Sequence, residues 1–312
     1  MMKLMTFDVG GTEIKYSVMD ETFRMEDSGS VPTPQTALDD LVGMMASIYM
    51  PHKEVAEGIA VSLPGFIDAK NGVVRGGGAL EYNWGQPVGP RLSAACGGCR
   101  VVLENDGKAA AMAELAAGSL KGCRNASVFI IGTGVGGGLI VDGRVVRGIH
   151  DTAGEFSFLN AGPKGWPELQ SYVSFQCSTT GLLETYREKK GLSREFPLDG
   201  RKFFAGVHSG DPVAMETLES FSRAVAVQAY NLTALLDIEK LAIGGGISRQ
   251  PILTEKIREA YDALMAEYPI PQIIQALPKP EIVPCHFGSE ANQVGAFYRY
   301  LNATEHFRTP RS

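Results

Sequence analysis

The sequence predicts an α/β protein built from two similar halves, and three observations lead to this prediction. Short apolar runs alternate along the chain with amphipathic segments of helical period, as strands and helices do in an α/β fold. Two units of strand, glycine-rich turn and strand occur about 125 residues apart, which indicates an internal duplication. The length of 312 residues suits two domains.

The first glycine-rich turn is Asp8–Thr12. Leu4–Val9 before it is a short, mostly apolar run, and Ile14–Met19 after it alternates and contains β-branched residues, so a strand is predicted on each side. Further elements predicted in this half are the strands Val55–Leu63 and Arg100–Leu103 and the helix Ala109–Leu120.

The second glycine-rich turn, Gly132–Gly138, repeats this arrangement. Ser127–Ile131 precedes it and Leu139–Val141 follows it, before a tight turn at Asp142-Gly143. A third cluster, Gly244-Gly245-Gly246, follows a predicted strand. The other elements predicted here are the strands Lys240–Ile243 and Ile282–Pro284 and the helices Gly181–Lys190, Pro212–Leu236, Gln250–Tyr268 and Ala291–Leu301.

Composition narrows the class of protein. Apolar residues make up 44% and charged residues 21% of the chain, which is typical of a globular protein. Acidic residues outnumber basic ones 35 to 29, giving a net charge of −6, which argues against a nucleic-acid partner and against an anionic membrane surface. Apolar runs fall far short of the ~20 residues that span a bilayer, and the N-terminus cannot hold the apolar core of a signal peptide. We therefore expect a cytoplasmic protein.

The five cysteines do not form a disulfide framework, because they are few and odd in number for a chain of this length. Cys96 and Cys99 form a Cys-Gly-Gly-Cys motif. It fits a glycine-rich turn that enters the next strand, and it also fits a thioredoxin-type dithiol. The chain has no second such pair, as a four-cysteine zinc site would require.

The glycine-rich turns are candidate phosphate sites. Without a Cβ atom, successive backbone N–H groups approach an anion closely and form a nest for it. Tight hairpin turns would look the same one at a time, but two such turns with matching threonines, together with the third cluster, favour phosphate binding. The candidate nucleotide-binding residues are Gly10, Gly11, Thr12, Gly132, Thr133, Gly134, Gly244, Gly245 and Gly246.

Two other nucleotide motifs are excluded. Gly132, Gly134 and Gly137 match GxGxxG, but a dinucleotide fingerprint opens a helix, and this turn continues into a strand. The string GxxxxGK[ST] of a Walker A loop does not occur in the sequence.

Two charged residues flank the first turn. Asp8 ends the predicted strand, where a carboxylate beside a phosphate nest favours a hydrated Mg²⁺ ion between them; the alternative is that Asp8 caps the turn. Lys15 lies on the second strand of the hairpin, where it either faces the phosphates or is a solvated strand charge.

Asp106 is the candidate carboxylate for chemistry. It follows the predicted strand Arg100–Leu103 and precedes a helix, and ligands of α/β sheets bind at the carboxyl ends of the strands. Asn105-Asp106-Gly107 is also ordinary turn and helix-capping sequence, so this pattern alone fits both interpretations.

Six ordered motifs together resemble the ROK family, whose sugar kinases belong to the hexokinase and actin-like ATPase superfamily. The resemblance runs from about residue 3 to residue 300. The motifs are the first phosphate motif Asp8–Lys15, the sugar-side loop Ser62–Asp68, the catalytic block Glu104–Ala110, the second phosphate motif Ile131–Gly138, the sugar-contacting Asp151–Phe156 and the adenosine motif Ile243–Ser248.

The resemblance implies two actin-like ATPase domains of the ribonuclease H-like type, with a central cleft, and ATP-dependent phosphorylation of a hexose hydroxyl. Asp106 would be the general base, with ATP and Mg²⁺ as cofactors. Asn105 and Glu155 would bind sugar hydroxyls, and the segment 76–82, with Gly78, would line the sugar site. These roles agree with the chemistry of phosphoryl transfer. A carboxylate near the attacking hydroxyl accepts its proton, while the backbone N–H groups of the turns and Mg²⁺ neutralise the charge of the phosphoryl group.

The sequence departs from the family pattern at one place. Many members follow the Ala-Gly-Glu motif with a histidine and a zinc-binding cysteine cluster, but here Phe158 takes the histidine position. The stretch 160–176 contains no cysteine and no histidine. The last acidic sugar ligand falls on Gln176. We therefore expect no zinc site, as in a branch that includes β-glucoside kinases and glucokinase-like members.

These implications define the expected organisation and function. A small domain is expected at 1–118 plus 291–312, and a larger one at 119–290. The expected partners are a sugar substrate and a second copy of the chain in a homodimer. The expected substrate is glucose or a β-glucoside, phosphorylated at the 6-OH, with an N-acetylhexosamine, above all N-acetylmannosamine, as the alternative. A sugar-responsive regulator is disfavoured because no helix-turn-helix module precedes Asp8 in this sequence.

Overall fold

The computed structural model describes residues 1–162 and 168–308. The chain divides into two compact units, each described by itself. Unit 1 consists of Met1–Gly118, Val145–Ala153 and Ser289–Ser312, and unit 2 of Ser119–Arg144 and Gly154–Gly288. The sequence led us to expect 145–153 in the second domain, but this segment groups with unit 1.

The strands are β1 (Lys3–Val9), β2 (Glu13–Asp20), β3 (Met25–Pro32), β4 (Ile59–Leu63), β5 (Phe66–Asp68), β6 (Val73–Gly76), β7 (Val101–Asn105), β8 (Ala126–Ile131), β9 (Val135–Val141), β10 (Arg144–Val145), β11 (Lys240–Gly244) and β12 (Glu281–Pro284). The helices are α1 (Leu38–Tyr49), α2 (Val88–Ala95), α3 (Asp106–Ala117), α4 (Val173–Gln176), α5 (Thr179–Lys190), α6 (Gly200–His208), α7 (Pro212–Leu236), α8 (Pro251–Ala266), α9 (Pro271–Ile274) and α10 (Ala291–Arg308).

The two large sheets have the same strand order. One runs β3-β2-β1-β4-β7 and the other β10-β9-β8-β11-β12, so each follows the order third, second, first, fourth, fifth along its part of the chain. In both, the first strand pairs antiparallel with the second and parallel with the fourth. The predictions of an α/β fold and of an internal repeat are therefore confirmed.

The two glycine-rich turns occupy equivalent positions in these sheets. In the first hairpin Val9 pairs with Ile14, and in the second Ile131 pairs with Val135. Each turn therefore follows the first strand of its sheet, at the end where the parallel neighbours of that strand also finish. This is the edge at which α/β sheets bind ligands.

Each unit has its own apolar core. Phe7, Leu41 and Val61 are fully buried in unit 1, and Phe129 and Tyr261 are fully buried in unit 2. None of the helices in the described part of the chain is both long and apolar enough to cross a bilayer.

The C-terminal helix α10 completes unit 1. It packs against α3 so closely that a Cβ atom at Gly295 would lie 1.8 Å from the carbonyl oxygen of Ala109, so only glycine fits. The helix extends to Arg308, beyond the Leu301 expected from the sequence.

Element boundaries differ from the prediction where side chains cap helices. Helix α3 begins at Asp106 rather than at Ala109, because the Oδ1 atom of Asn105 accepts a hydrogen bond from Lys108 N and caps it. The predicted strand from Val55 begins only at Ile59. Cys96-Gly-Gly-Cys99 is the expected turn before β7, with left-handed glycines and free thiols.

Candidate active site

The first glycine-rich turn is held by hydrogen bonds to its own carbonyl groups. The Thr33 hydroxyl donates to Gly10 O at 2.7 Å, and the Gln35 side-chain amide donates to Gly11 O at 2.8 Å. Thr12 is exposed. A Cβ atom at Gly11 would lie 3.1 Å from that of Ala79, so the turn lies beside the predicted sugar-lining segment.

Asp8 is a half-buried carboxylate at the end of β1. Its Oδ1 accepts a hydrogen bond from the Nδ2 of Asn292 at 2.9 Å. Lys15 pairs with Asp8 across the hairpin. Burial raises the pKa of Asp8, and the opposing effects of Asn292 and Lys15 are smaller. Asn292 contacts Oδ1, so Oδ2 of Asp8 is the oxygen that would face a cation. A single carboxylate beside the glycine-rich turn fits Mg²⁺, which needs few protein ligands and keeps several waters.

Asp8 and Asp106 lie at one edge of the unit 1 sheet. Asp8 on β1 is level with Ser62 on β4, and Ser62 is level with Glu104 on β7. Because these strands are parallel, their carboxyl ends meet at this edge, and Asp106 follows two residues after Glu104.

The Asp106 carboxylate is oriented by the start of α3. Its Oδ1 accepts hydrogen bonds from Gly107 N at 2.8 Å and from the Nδ2 of Asn105 at 3.0 Å. The helix N-terminus also favours the ionised form of a nearby carboxylate. These hydrogen bonds fix the carboxylate in a defined direction, as a general base requires.

The predicted sugar loop reaches the same place. Asn105 Nδ2 donates to Gly65 O at 3.0 Å. A Cβ atom at Gly65 would lie 2.6 Å from Gly77 O, and one at Gly78 would lie 2.9 Å from the Pro64 backbone. Gly78 has a φ of +73°, which favours glycine. The structure thus places Gly78, Asn105 and Asp106 in one small region of unit 1.

Behind Asp106, the buried carboxylate of Glu104 forms an ion-pair cluster. Glu104 is 1% exposed and accepts from Asn105 N at 2.9 Å. Arg147 forms an ion pair with it, and the Nε atom of Arg299 lies 3.5 Å from Glu104 Oε2. Arg147 also contacts Asp151 at 3.2 Å. Burial lowers the pKa of Arg299, whereas Glu104 and Asp151 raise that of Arg147 against the effect of burial.

In unit 2, the second glycine-rich turn is joined to the predicted sugar contact. The Ser157 hydroxyl accepts from Val135 N and donates to Val135 O, both at 2.9 Å. Glu155 is two residues earlier and half-buried. Thr133 is exposed, and Gly132 N donates to Gly134 O at 3.0 Å. The structure therefore places Glu155 near this turn.

The third glycine cluster abuts the second turn. Gly245 has a φ of +100°, and a Cβ atom there would lie 2.1 Å from Ile131 O. The cluster opens onto a cavity of about 520 Å³ in unit 2, a size that suits a nucleoside. Its lining includes Gly245, Gly246, Ser248, Arg249, Arg258, Cys285, His286 and Phe287. The second glycine-rich turn and a base-sized cavity therefore adjoin each other.

Gln176 ends α4, a helix that packs against the segment 156–158 directly after Glu155. Its Nε2 donates to Gln170 O at 2.9 Å, and it lines a separate cavity of about 270 Å³ with residues of α5 and α7. Phe158 is 59% exposed. The loop expected to replace the zinc cluster includes 163–167, outside the described residues. Within 1–162 and 168–308, no cluster of three or more His, Cys, Asp or Glu side chains could hold a metal ion.

Three residues of the candidate site were not predicted from the sequence. Asn292 holds Asp8 from a helix 284 residues away in the chain. Arg147 lies in a segment with no helical or strand period. Ser157 lies two residues after the Ala-Gly-Glu motif, and this proximity was the one available signal.

Comparison with known proteins gives consistent results. The family model described as "ROK family" matches residues 4–302. A β-glucoside kinase of Klebsiella pneumoniae is 27% identical over 303 residues, covering 96% of each chain. An N-acetyl-D-glucosamine kinase of Vibrio atlanticus is 28% identical over 309 residues, covering 94% of this chain and 97% of the other.

A solved structure is also similar over almost the full length. It is a ROK family protein from Streptococcus pneumoniae in complex with sucrose, 29% identical, with a TM-score of 0.86 and coverage of 97% of this chain and 99% of the other. The predicted fold and the predicted family are therefore confirmed.

Proposed function

Because the chain belongs to the ROK family, we propose that it is an ATP-dependent hexose kinase that phosphorylates the 6-OH of glucose or of a β-glucoside. The observation that carries this proposal is the position of Asp106. Its carboxylate is fixed at the start of α3, beside Asn105 and the loop of Gly65 and Gly78, at the sheet edge that also carries the first glycine-rich turn.

The reaction follows from these residues. The sugar hydroxyl gives its proton to the Asp106 carboxylate as its oxygen attacks the γ-phosphorus of ATP, and the bond from that phosphorus to the bridging oxygen of ADP breaks. Asn105 and Glu155 bind other sugar hydroxyls. The Nδ2 group of Asn105 donates to Gly65 O and Asp106 Oδ1, so the second lone pair of its Oδ1 is the position that accepts from a sugar hydroxyl.

The nucleotide is assigned to the glycine-rich turns and the unit 2 cavity. The adenosine group enters the cavity beside Gly245 and Gly246, and the phosphates bind the N–H groups of the turns. Asp8 would hold Mg²⁺ through water, with Lys15 beside it. Bound Mg²⁺ would neutralise charge on the phosphates.

Glucose or a β-glucoside is favoured over other hexoses by two observations. The Klebsiella pneumoniae relative is a β-glucoside kinase, and the Streptococcus pneumoniae relative holds a disaccharide. In this chain Phe158 stands where zinc-containing members have a histidine that binds the sugar, so O1 faces fewer polar partners. A polar site group left unpaired costs about 1–3 kcal/mol. A substituent on O1 should therefore reduce kcat/KM only slightly.

An N-acetylhexosamine is the second candidate, favoured by the similarity to the Vibrio atlanticus N-acetyl-D-glucosamine kinase. The deciding measurement is kcat/KM in a coupled ADP assay with glucose, methyl β-glucoside, cellobiose, N-acetylglucosamine and N-acetylmannosamine. Comparable values for glucose and the β-glucosides support the first candidate. A tenfold preference for an N-acetyl sugar would reject it, and no sugar-dependent ADP formation would reject the kinase proposal itself.

The cytoplasmic location and the homodimer also belong to this proposal. Both follow from the sequence and its family resemblance. Sedimentation of the purified protein tests the dimer directly.

A further inference from the structure

Trp84 is an exposed aromatic side chain whose ring is nevertheless fixed in position. It is 44% exposed. Its Nε1 donates a hydrogen bond to Gly77 O at 2.8 Å, and its backbone N–H donates to Glu81 O at 3.0 Å. An aromatic ring that is already ordered loses little conformational entropy when a ligand packs against it.

The loop that holds Trp84 lies beside the candidate base. The carbonyl oxygen of Gly77 is 2.6 Å from the Cβ position of Gly65, whose own carbonyl accepts a hydrogen bond from Asn105. Asn105 in turn contacts Asp106 at 3.0 Å. All these contacts lie within unit 1. Trp84 is therefore separated from Asp106 by a short series of direct contacts.

The surface next to Trp84 has the chemical character that a sugar ring requires. Gly76, Gly77 and Gly78 present backbone groups without side chains, and the half-buried Phe66 ring lies 3.3 Å from the Cβ position of Gly77. A pyranose ring has an apolar C–H face and a polar rim of hydroxyl groups. Gly78 is exposed, and Gly76 and Gly77 are half-buried. A fixed indole ring next to these backbone groups matches both parts of the sugar.

We propose that Trp84 is a specificity-determining residue that packs against the second sugar ring or other aglycone of a β-glucoside, while the glucosyl ring is held at Asn105 and Asp106. The inference rests on the proposed function and adds the residue that distinguishes β-glucosides from free glucose. The catalytic groups remain those already described.

The first test is selectivity. Trp84→Ala should lower the ratio of kcat/KM for cellobiose to kcat/KM for glucose by about five- to tenfold, the range expected for one aromatic contact. Trp84→Phe, which keeps a ring, should retain most of that ratio. Phe196→Ala is the matched control, because Phe196 is an aromatic residue of similar exposure, 43%, in unit 2. It should leave the ratio unchanged.

The second test measures binding without turnover. The chain has two tryptophans, so Trp166→Phe leaves Trp84 as the single fluorescent reporter. Titration with cellobiose or methyl β-glucoside in the absence of ATP should change its emission, and cellobiose should give the larger change. Glucose should give the smallest change.

The outcomes separate this inference from the proposed function. If glucosides bind and perturb Trp84 but are never phosphorylated, the kinase proposal fails and the Trp84 assignment holds. If sugars are phosphorylated and Trp84→Ala leaves the cellobiose-to-glucose ratio within twofold, the assignment of Trp84 is overturned. The assignment of Trp84 is also overturned if Phe158→Ala lowers the cellobiose-to-glucose ratio and Trp84→Ala does not. It is overturned as well if Trp84→Ala changes the oligomeric state and leaves the ratio unchanged.

Discussion

The guanidinium group of Arg147 forms an ion pair with the buried carboxylate of Glu104, two residues before the candidate base. Arg147 belongs to the segment 145–153, which returns to unit 1 between two parts of unit 2. Glu104 in turn accepts a hydrogen bond from the backbone of Asn105. This ion pair therefore links that segment to the residues that orient Asp106.

We predict that Arg147→Met lowers the free energy of unfolding by about 3 kcal/mol, because it leaves a buried carboxylate with less compensation. Arg124→Met is the matched control, since Arg124 and Asp142 form an exposed ion pair. It should cost at most about 1 kcal/mol. Urea denaturation of both variants provides the measurement, and equal losses would contradict the prediction.

Asp106→Asn should retain the fold and sugar binding while losing turnover. Asparagine keeps an oxygen to accept from Gly107 N but cannot take the proton of the sugar hydroxyl. General-base catalysis contributes about 10²–10⁴-fold, so kcat should fall at least about a hundredfold. Steady-state kinetics and calorimetric sugar binding check this. A variant with half the wild-type kcat would exclude Asp106 as the base.

Asp8→Asn should stabilise the protein at neutral pH in the absence of Mg²⁺ and nucleotide. Burial raises the pKa of Asp8 above 3.8, so its contribution to stability is present below pH 3.8 and is lost as pH rises through the folded-state value. Asparagine avoids this loss and still accepts from Asn292. The difference between variant and wild type should thus grow from pH 4 to pH 7 in urea denaturation.

Asp20→Asn is the control for this pH series, because hydrogen bonds, chiefly from Thr22, lower the pKa of Asp20. The stabilising contribution of the Asp20 carboxylate is present above pH 3.8 and is lost on acidification. Asp20→Asn should therefore be less stable than the wild type at neutral pH. If both variants shift stability in the same direction at pH 7, the assigned environment of Asp8 is wrong. Activity of Asp8→Asn should also require more Mg²⁺.

Gly245→Ala should weaken nucleotide binding and stability together. The residue has a left-handed φ, and its new Cβ would overlap Ile131 O, so the backbone beside the second turn must shift. Such strain costs about 1–3 kcal/mol. Gly246→Ala is the control, because nothing lies within 4 Å of its Cβ position. Thermal unfolding with and without ATP should separate the two variants; similar behaviour would argue against a tight contact.

The purified protein should contain no stoichiometric zinc, because the stretch 160–176 offers no cysteine or histidine ligand. Elemental analysis of the protein purified without chelators is the measurement. A zinc chelator in excess Mg²⁺ should leave activity unchanged. One tightly held zinc ion per chain would refute this prediction.

Residues at strand ends were predictable because their role is local. Gly10, Asn105 and Gly245 lie within two residues of the end of an apolar run, and glycine or capping chemistry is visible within a few residues. The edge strand β3 was missed because half of its residues are exposed and most of those are polar, which removes the alternation that marks a strand. Helix α1 was also not predicted, although its apolar residues lie on one face.

Contacts between distant parts of the chain could not be predicted from local pattern. The bond of Asn292 to Asp8 and the ion pair of Arg147 with Glu104 depend on how elements pack. Trp84 was not singled out from the sequence, because its fixed orientation depends on a carbonyl group seven positions away.

Helix α10 has a consequence for synthesis on the ribosome. Its residues supply the partners of Asp8, Thr6 and Ser17 near the N-terminus, and its glycine fits against α3. Translation adds about 5–20 residues per second, so the first 118 residues wait on the order of ten to forty seconds for this helix. Most of unit 2 is a continuous stretch that is complete before then. The half made first therefore finishes folding last, and its sheet, not yet covered by α10, is the stage at which chaperones would be needed.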